Sequence, residues 1–216
     1  MNRAGTEFDL PTPPKPSWIS RPRWSPSSRL LAFRYYAGHR TSNGRSREKR
    51  EGAIWIVDLE TRKPRLIGVG EAERLVWLSD GRLIAIHSQR DKGGPATTRM
   101  GAVSVEKARI EWFPWQLPYV CAAADEAGGR IVLKLTSGVA QRDGLVRLDL
   151  WELRLSDGSL RRLTDLGFVR GWRLSPSGDQ VALIDVPALP GLWILDIEPS
   201  LDLAQQQESG RGPVAE

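Results

Sequence analysis

The sequence predicts an all-β fold that repeats one four-stranded antiparallel unit about four times. In residues 24–33, the end of a strand, a polar turn and a strongly apolar strand follow each other, and the same order returns at residues 77–86 and 174–183. Apolar residues recur with the two-residue period of a strand, and no stretch shows the 3.6-residue period of an amphipathic helix. Both observations favour sheets joined by short turns.

The first unit spans residues 17–68. We expect its strands at residues 18–24, 30–36, 53–59 and 64–67. Pro26 presets the backbone of the turn between the first two strands, and the serines beside it hydrogen-bond to their own backbone. Residues 38–52 contain five lysines and arginines and no periodic apolar pattern, which indicates an exposed basic loop.

The second and third units, residues 71–115 and 117–165, follow the same order. In the second unit a Gly-rich loop at residues 91–98 precedes the third strand. In the third unit we expect the first turn at residues 125–129. The strands are expected at residues 72–77, 82–88, 102–105 and 109–112, and then at residues 119–123, 130–135, 148–155 and 160–164.

The fourth unit spans residues 167–203 and is flanked by a polar tail. Its strands are expected at residues 168–174, 180–186 and 192–197, and residues 201–203 are the only candidate for a fourth strand. Residues 1–16 contain four prolines among polar residues and predict a disordered leader. Residues 201–216 predict a disordered tail.

The spacing of the units predicts how they assemble. Trp24 and Trp77 lie 53 residues apart, and Trp77 and Leu174 lie 97 apart, close to two units. A period of about 40–50 residues with four strands per unit is typical of propeller blades. The sequence therefore predicts a β-propeller at residues 17–200 with about four blades, either closed or an open, partial ring. An incomplete ring would leave room for oligomerisation.

Two copies of the repeat carry a recognisable pattern, around Trp24 and around Leu174. Each has Trp or Leu before Ser-Pro, then a variable residue, Ser or Gly, two further variable residues and an apolar Leu/Val-Ala-Phe/Leu, followed by Ile/Leu-Trp-Ile-Val/Leu-Asp at residues 54–58 and 192–196. This pattern resembles the TolB-like repeat of the WD-like β-propellers, which also occurs in the propeller domains of the dipeptidyl peptidase and prolyl oligopeptidase families. Residues 161–165 resemble its closing strand. The resemblance covers residues 18–198 and implies a propeller, but propellers carry many unrelated functions.

Tryptophan is unusually frequent, with nine residues against four phenylalanines and three tyrosines. Trp55, Trp151 and Trp193 occupy the same place in the third strands of their units. Large aromatic side chains at repeated positions indicate packing of the core. We expect Trp55 and Trp193 to be buried between blades.

The net charge of +5 favours anionic partners weakly. The charge comes mostly from dispersed arginines rather than from a continuous basic surface, so nucleic acid is an unlikely partner. Cys121 is the only cysteine and lies in an apolar run, which predicts a buried, inert thiol and excludes an intrachain disulfide.

The sequence shows no segment of the kind that directs a protein to or across a membrane. No run of about 18 apolar residues occurs, so no membrane span is expected. The first 15 residues have no apolar core of a signal peptide. These features predict a cytoplasmic protein if the N-terminus is native, and a periplasmic or extracellular one if the chain is an excised domain.

The sequence contains few residues or motifs that could support catalysis. His39 and His87 are the only histidines, and no Gly-x-Ser-x-Gly elbow, phosphate-cradling loop or calcium loop occurs. Clustered histidines and cysteines, which a zinc site needs, are missing as well. We therefore expect a protein that is not an enzyme and that needs neither a metal nor another cofactor.

Two sets of arginines are candidate binding residues. The first set lies in the basic loop and could contact an acidic partner, although such runs are usually solvated. The second set lies on first strands, which line the central channel of a propeller, and could converge on an anionic ligand or a peptide carboxylate. The first set is Arg45, Arg47 and Arg50, and the second is Arg21, Arg74, Arg170 and Arg173.

Three functions are consistent with the sequence. The first is a non-catalytic scaffold that binds another protein, a peptide or a ligand. The second is an accessory or substrate-gating propeller of a peptidase-type hydrolase whose catalytic domain is absent from these 216 residues. The third is a basic scaffold that associates with nucleic acid or another polyanion.

Overall fold

The computed structural model describes residues 17–37, 52–69, 72, 74–90, 96–136, 148–169, 171–186 and 189–198. Every regular element in these residues is a β-strand, which confirms the all-β prediction. The predicted leader, the tail and the basic loop at residues 38–51 lie outside the described residues.

Fifteen strands form four antiparallel sheets, which we call blades 1–4, and each blade contains strands that are consecutive in the chain. Blade 1 contains β1 (Ser17–Trp24), β2 (Leu30–Ala37), β3 (Gly52–Asp58) and β4 (Lys63–Val69). Blade 2 contains β5 (Arg74–Trp77), β6 (Leu83–Arg90), β7 (Ala96–Ser104) and β8 (Arg109–Leu117). Blade 3 contains β9 (Val120–Ala127), β10 (Arg130–Thr136), β11 (Asp149–Leu153) and β12 (Leu160–Arg162). Blade 4 contains β13 (Gly171–Leu174), β14 (Gln180–Val186) and β15 (Leu189–Asp196).

Two predicted loops contain strand residues. β7 begins at Ala96, inside the loop expected at residues 91–98, because its pairing with β6 continues to Arg90. β9 continues to Ala127, inside the turn expected at residues 125–129, and only Gly128 and Gly129 reverse the chain. Both glycines have positive φ, which two-residue hairpin turns require. The fourth strand suggested at residues 201–203 lies outside the described residues.

Adjacent blades pack face to face through three apolar clusters. We call the side of a blade that points to the next blade along the chain its following face, and the opposite side its preceding face. Ala32 and Ile56 of blade 1 pack on Leu75 and Leu83 of blade 2. The junctions of blades 2 and 3 and of blades 3 and 4 are built in the same way. β1 contacts β5, β5 contacts β9 and β9 contacts β13, so the first strands lie side by side along the inner edge of the assembly.

The tryptophans at the repeat positions are buried unequally. Trp77 is 8% exposed, and its Nε1–H donates to the carbonyl oxygen of Arg23 in blade 1 at 2.9 Å. Trp24, the corresponding residue of blade 1, is 57% exposed. The expectation that Trp55 and Trp193 are both buried between blades is wrong. Trp55 is half-buried on the preceding face of blade 1, and Trp193 is 44% exposed on β15, the outermost described strand of blade 4.

Candidate functional site

A cleft of about 510 Å³ opens between blades 2 and 3 at the end that carries the short turns. We call it the interblade cleft. Its floor is apolar and its rim is polar, the combination that is typical of sites for small molecules and peptides. The lining residues used below are Asp80, Arg82, Phe113, Trp115, Glu126 and Leu155.

The aromatic wall of the cleft comes from β8. Phe113 and Trp115 are two residues apart on one strand, so their side chains point to the same face. Their rings stack with centroids 5.1 Å apart and planes 18° apart. Trp115 is anchored to blade 3, because its Nε1–H donates to the carbonyl oxygen of Leu155 at 3.2 Å. The wall is therefore preformed and spans both blades.

Gly158 fits under the same tryptophan. It has a φ of +76°, and a Cβ at this position would lie 2.6 Å from the indole ring of Trp115. A larger residue would be strained by its backbone and would also displace the ring. The turn after β11 therefore fixes the position of the aromatic wall.

The rim of the cleft carries both signs of charge. The Arg82 guanidinium forms an ion pair with Asp80 at 2.6 Å, and this hydrogen bond lowers the pKa of the Asp80 carboxyl group below its ordinary value. On the blade 3 side, Glu126 accepts a hydrogen bond from the backbone N–H of Gly129 at 3.0 Å. The cleft thus offers aromatic surface flanked by two carboxylates and one guanidinium.

A second cavity, of about 500 Å³, extends from Ala123 and Lys134 of blade 3 around the first strand of blade 4 to Ile184 and Leu192, which face away from blade 3. Lys134 and Arg173 line it together with the apolar residues Trp172, Ile184 and Leu192. Burial lowers the pKa of Lys134 below its ordinary value, and its Nζ lies 6.0 Å from the centre of the Phe168 ring. The cavity therefore combines two cationic side chains with apolar walls.

Solved structures with the same arrangement of blades identify the fold. TolB from Acinetobacter baumannii matches 84% of this chain over 41% of its own length, at 20% identity and a TM-score of 0.53. The acylaminoacyl peptidase of Pyrococcus horikoshii matches 82% over 31% of its length, at 21% identity and a TM-score of 0.53. The propeller domain of the Trilobed protease from Pyrococcus furiosus matches 82% over 55% of its length, at 20% identity and a TM-score of 0.52. The chain has a TolB-like β-propeller fold.

The similarity extends over only part of these propeller proteins. The chain spans between 31% and 55% of the lengths of the three structures. No protein-family model matches the sequence, and no curated protein matches it either. The comparisons therefore show a TolB-like propeller scaffold and assign it no particular role.

The arginines predicted for the channel of the propeller have different environments. Arg74 on β5 reaches blade 3, where its Nε–H donates to the carbonyl oxygen of Ala122 at 3.0 Å. Arg173 on β13 has a side chain that is 77% exposed and lies 3.7 Å from the Asp125 carboxylate of blade 3. Both side chains bridge neighbouring blades. Ligand binding by either one stays a prediction.

The other predicted arginines are described only in part or not at all. The backbone of Arg21 lies in β1, and its side chain is outside the description. The remaining candidates, Arg170, Arg45, Arg47 and Arg50, also lie outside the described residues. A role for any of them in binding stays a prediction.

Among the described residues, Arg173 is the one predicted binding residue that lines either cavity. The sequence did not single out Asp80, Phe113, Trp115 or Lys134. One available signal was the Phe-Pro-Trp segment on an outer strand, where aromatic residues are not needed for the inner core. Another was a lysine within the apolar run of β10. Neither signal shows which blade the side chain faces.

The groups considered for catalysis or metal binding lie on different strands of the described propeller. His87 is on β6, and its Nδ1 is buried without a hydrogen-bond partner. Cys121 is buried, and its thiol donates to the carbonyl oxygen of Ala123 at 3.3 Å. Among the residues described, no group of three or more His, Cys, Asp or Glu side chains could hold a metal ion. The same residues contain no helix long and apolar enough to cross a membrane.

Proposed function

We propose that this chain is a non-catalytic TolB-like propeller scaffold that binds a protein or peptide in the interblade cleft. The observation that carries the proposal is the preformed aromatic wall of Phe113 and Trp115 beside a charged rim. Aromatic side chains supply large contact areas at a low entropic cost and dominate the energetics of many interfaces.

The charges at the rim suggest how a peptide would be oriented. Asp80 and Glu126 stand on opposite sides of the cleft, on blades 2 and 3, with Arg82 beside Asp80. A peptide with an aromatic or aliphatic side chain would place it against the stacked rings. A basic residue next to it would meet the carboxylates, and its carbonyl groups could accept hydrogen bonds from Arg82.

The test is a selection of random peptides displayed on phage, followed by affinity measurements with the purified chain. For the best peptide, replacing Phe113 by alanine should weaken binding about 30-fold, as expected for a central aromatic contact. Arg109→Ala is the matched control, because Arg109 is an exposed residue of the same strand that does not line the cleft. Its affinity should stay within about twofold. Equal affinities for all three proteins, or no enriched peptide, would contradict the proposal.

The absence of catalysis is a separate part of the proposal. A panel of chromogenic peptide and ester substrates should show no turnover above that of the buffer. Turnover that copurifies with the chain and is lost with a single substitution in it would reject the non-catalytic assignment.

The alternative of an accessory propeller is favoured by the similarity to structures from two peptidases. In this case the chain would gate access to a hydrolase encoded in the same reading frame or by a neighbouring gene. Copurification with that hydrolase, together with a change in its substrate size limit, would favour this alternative. An unchanged size limit would reject it.

Association with a polyanion stays a prediction, because its arginines lie outside the described residues. Binding to heparin in low salt should disappear when Arg45, Arg47 and Arg50 are replaced by alanine, since each phosphate or sulfate contact adds to the salt dependence. Unchanged binding would reject this role for the basic loop.

A further inference from the structure

One position of the repeat differs in chemistry between two neighbouring junctions of the propeller. In blade 2 it is occupied by Ile86, which pairs with Arg74 of the first strand and is 1% exposed in the core toward blade 3. In blade 3 it is occupied by Lys134, which pairs with Ala123 of the first strand. Lys134 follows Leu133, which faces blade 2, so the lysine points to blade 4. A cation thus takes the place of an apolar core residue at the junction of blades 3 and 4.

The same exchange leaves space at the junction of blades 3 and 4. In blade 2 the Arg74 side chain crosses to blade 3, where its Nε–H donates to the carbonyl oxygen of Ala122 at 3.0 Å. Ala123 has only a methyl group at the corresponding place, and the first strand of blade 4 begins with Gly171, which has no side chain. We call this part of the second cavity, which lies between blades 3 and 4, the lysine pocket. Its residues are Ala123, Lys134, Gly171, Trp172 and Arg173.

The lysine pocket combines two cations with apolar walls. The Lys134 Nζ lies 6.0 Å from the centre of the Phe168 ring, and Trp172 is 9% exposed in the core that blades 3 and 4 share. Burial lowers the pKa of Lys134 below its ordinary value, because the ammonium group has lost part of its hydration. The Arg173 guanidinium lies 3.7 Å from the Asp125 carboxylate, which is beyond hydrogen-bond distance. An anion in the pocket would therefore compensate a desolvated ammonium and contact an exposed guanidinium.

We propose that the lysine pocket binds a small carboxylate with an apolar body, the carboxylate between Lys134 and Arg173 and the body against Trp172 and Phe168. A single negative charge fits better than a phosphate dianion, because Asp125 already stands beside one of the two cations. Apolar walls with a few convergent polar groups are typical of sites for small molecules.

The lysine pocket is separate from the interblade cleft, which lies between blades 2 and 3. Its binding role does not depend on the function proposed for that cleft. The pocket also does not need Ile184 or Leu192, which lie on the opposite face of blade 4.

The test is a titration of the isotope-labelled chain with phenylpropionate, followed by two-dimensional NMR between about 0.1 and about 30 mM ligand. The expected dissociation constant is about 1 mM, which is usual for a ligand of this size. The indole signal of Trp172 should shift, and that of Trp115 in the interblade cleft should not. Phenylpropanol has the same body without the charge, and acetate has the charge without the body. Each should bind at least about 10-fold more weakly.

Three variants test the residues of the pocket. Lys134→Met removes the charge and keeps an unbranched side chain, and it should weaken the binding of phenylpropionate at least about 10-fold. Arg173→Gln changes a side chain that is 77% exposed, and it should weaken binding about threefold. Lys63→Met is the matched control, because Lys63 is an exposed lysine of blade 1 that does not line the cavity. Its affinity should stay within about twofold. Circular dichroism melting confirms that each variant is folded.

Several results would overturn the proposal. They are equal affinities for phenylpropionate and phenylpropanol, an unchanged affinity of folded Lys134→Met, and no binding up to about 30 mM. If Lys134→Met does not fold, Arg173→Gln and the comparison of the three ligands decide in its place.

Two crossed measurements keep this test apart from that of the interblade cleft. A peptide selected for the cleft should bind Lys134→Met with unchanged affinity, and Phe113→Ala should bind phenylpropionate as the wild-type chain does. Loss of phenylpropionate binding in Phe113→Ala alone would place the ligand in the interblade cleft and reject the lysine pocket.

Discussion

One arginine offers a direct test of how burial determines the value of an ion pair. Arg162 contacts two carboxylates, that of Asp149 at 2.7 Å and that of Asp165 at 2.5 Å. The Asp149 side chain is 6% exposed, whereas that of Asp165 is 74% exposed. The hydrogen bond to Asp149 is the main reason that the pKa of Arg162 is raised above its ordinary value. Replacing each aspartate by alanine therefore removes one partner from the same guanidinium in two different environments.

The two substitutions should lower the free energy of unfolding by amounts that differ several-fold. The Asp149 carboxylate also accepts hydrogen bonds from the hydroxyl of Thr164 at 3.1 Å and from the backbone N–H groups of Leu166 at 2.9 Å and Gly167 at 3.2 Å. Four hydrogen bonds to a buried charge, at about 1 kcal/mol each after partial rehydration of the donors, give about 4 kcal/mol for Asp149→Ala. Asp165→Ala removes a contact in solvent and should cost less than about 1 kcal/mol.

Urea unfolding followed by tryptophan fluorescence measures both values. For a chain of this length the slope with urea is about 2.5 kcal/mol per molar, so Asp149→Ala should lower the midpoint by about 1.6 M. Asp165→Ala should lower it by less than about 0.4 M. Equal shifts for the two variants would refute the reasoning, because they would show that the connection from blade 3 to blade 4 does not depend on the buried carboxylate.

The remaining predictions concern packing, turn geometry and acid stability. Trp77→Ala should cost about 3–5 kcal/mol and Trp193→Ala less than about 2, because the first side chain is 8% exposed and the second 44%. Similar costs in urea unfolding would contradict this ranking. Gly178→Ala should cost about 3 kcal/mol, since a Cβ there would lie 2.1 Å from a backbone carbonyl oxygen of the neighbouring turn. Gly129 also has a positive φ but has open space around it, so Gly129→Ala should lower the free energy of unfolding by about 1 kcal/mol. A hydrogen bond from the Arg29 side chain lowers the pKa of the Asp58 carboxyl group below its ordinary value. Its ionised form therefore stabilises the fold above about pH 4, and this contribution is lost as the pH falls. Asp58→Asn should thus flatten the fall in urea midpoint between pH 5 and pH 3, and an unchanged pH profile would argue against it.

The regular hairpins could be predicted from the sequence because local chemistry determines them. The Ser-Pro turns and the alternating strands beside them place β2 and β14 within one residue of their observed bounds. β9 was harder to predict, because Asp125 and Glu126 are typical turn residues and yet pair with β10. Long-range pairing across the sheet overrides such local preferences.

The candidate site could not be predicted, because it depends on contacts between blades. The strand predicted from the sequence ended at residue 112, before Phe113 and Trp115, whereas β8 continues to Leu117. The sequence also does not show which neighbouring blade these two residues meet. The indole of Trp115 is held by the carbonyl oxygen of Leu155, which lies 40 residues further along the chain. A repeat pattern fixes the form of each blade and leaves open what its loops and outer strands bring together.

The burial of Trp24 and Trp77 could not be predicted from their place in the repeat. Both occupy the same place in the repeat, yet one is 57% exposed and the other 8%. The local structure around them is alike, so the difference comes from what lies against the preceding face of each blade. Blade 1 covers that face for Trp77, and no other described blade packs on Trp24. The place of a residue in the repeat therefore predicts its strand and its face, whereas its burial depends on what packs against that face.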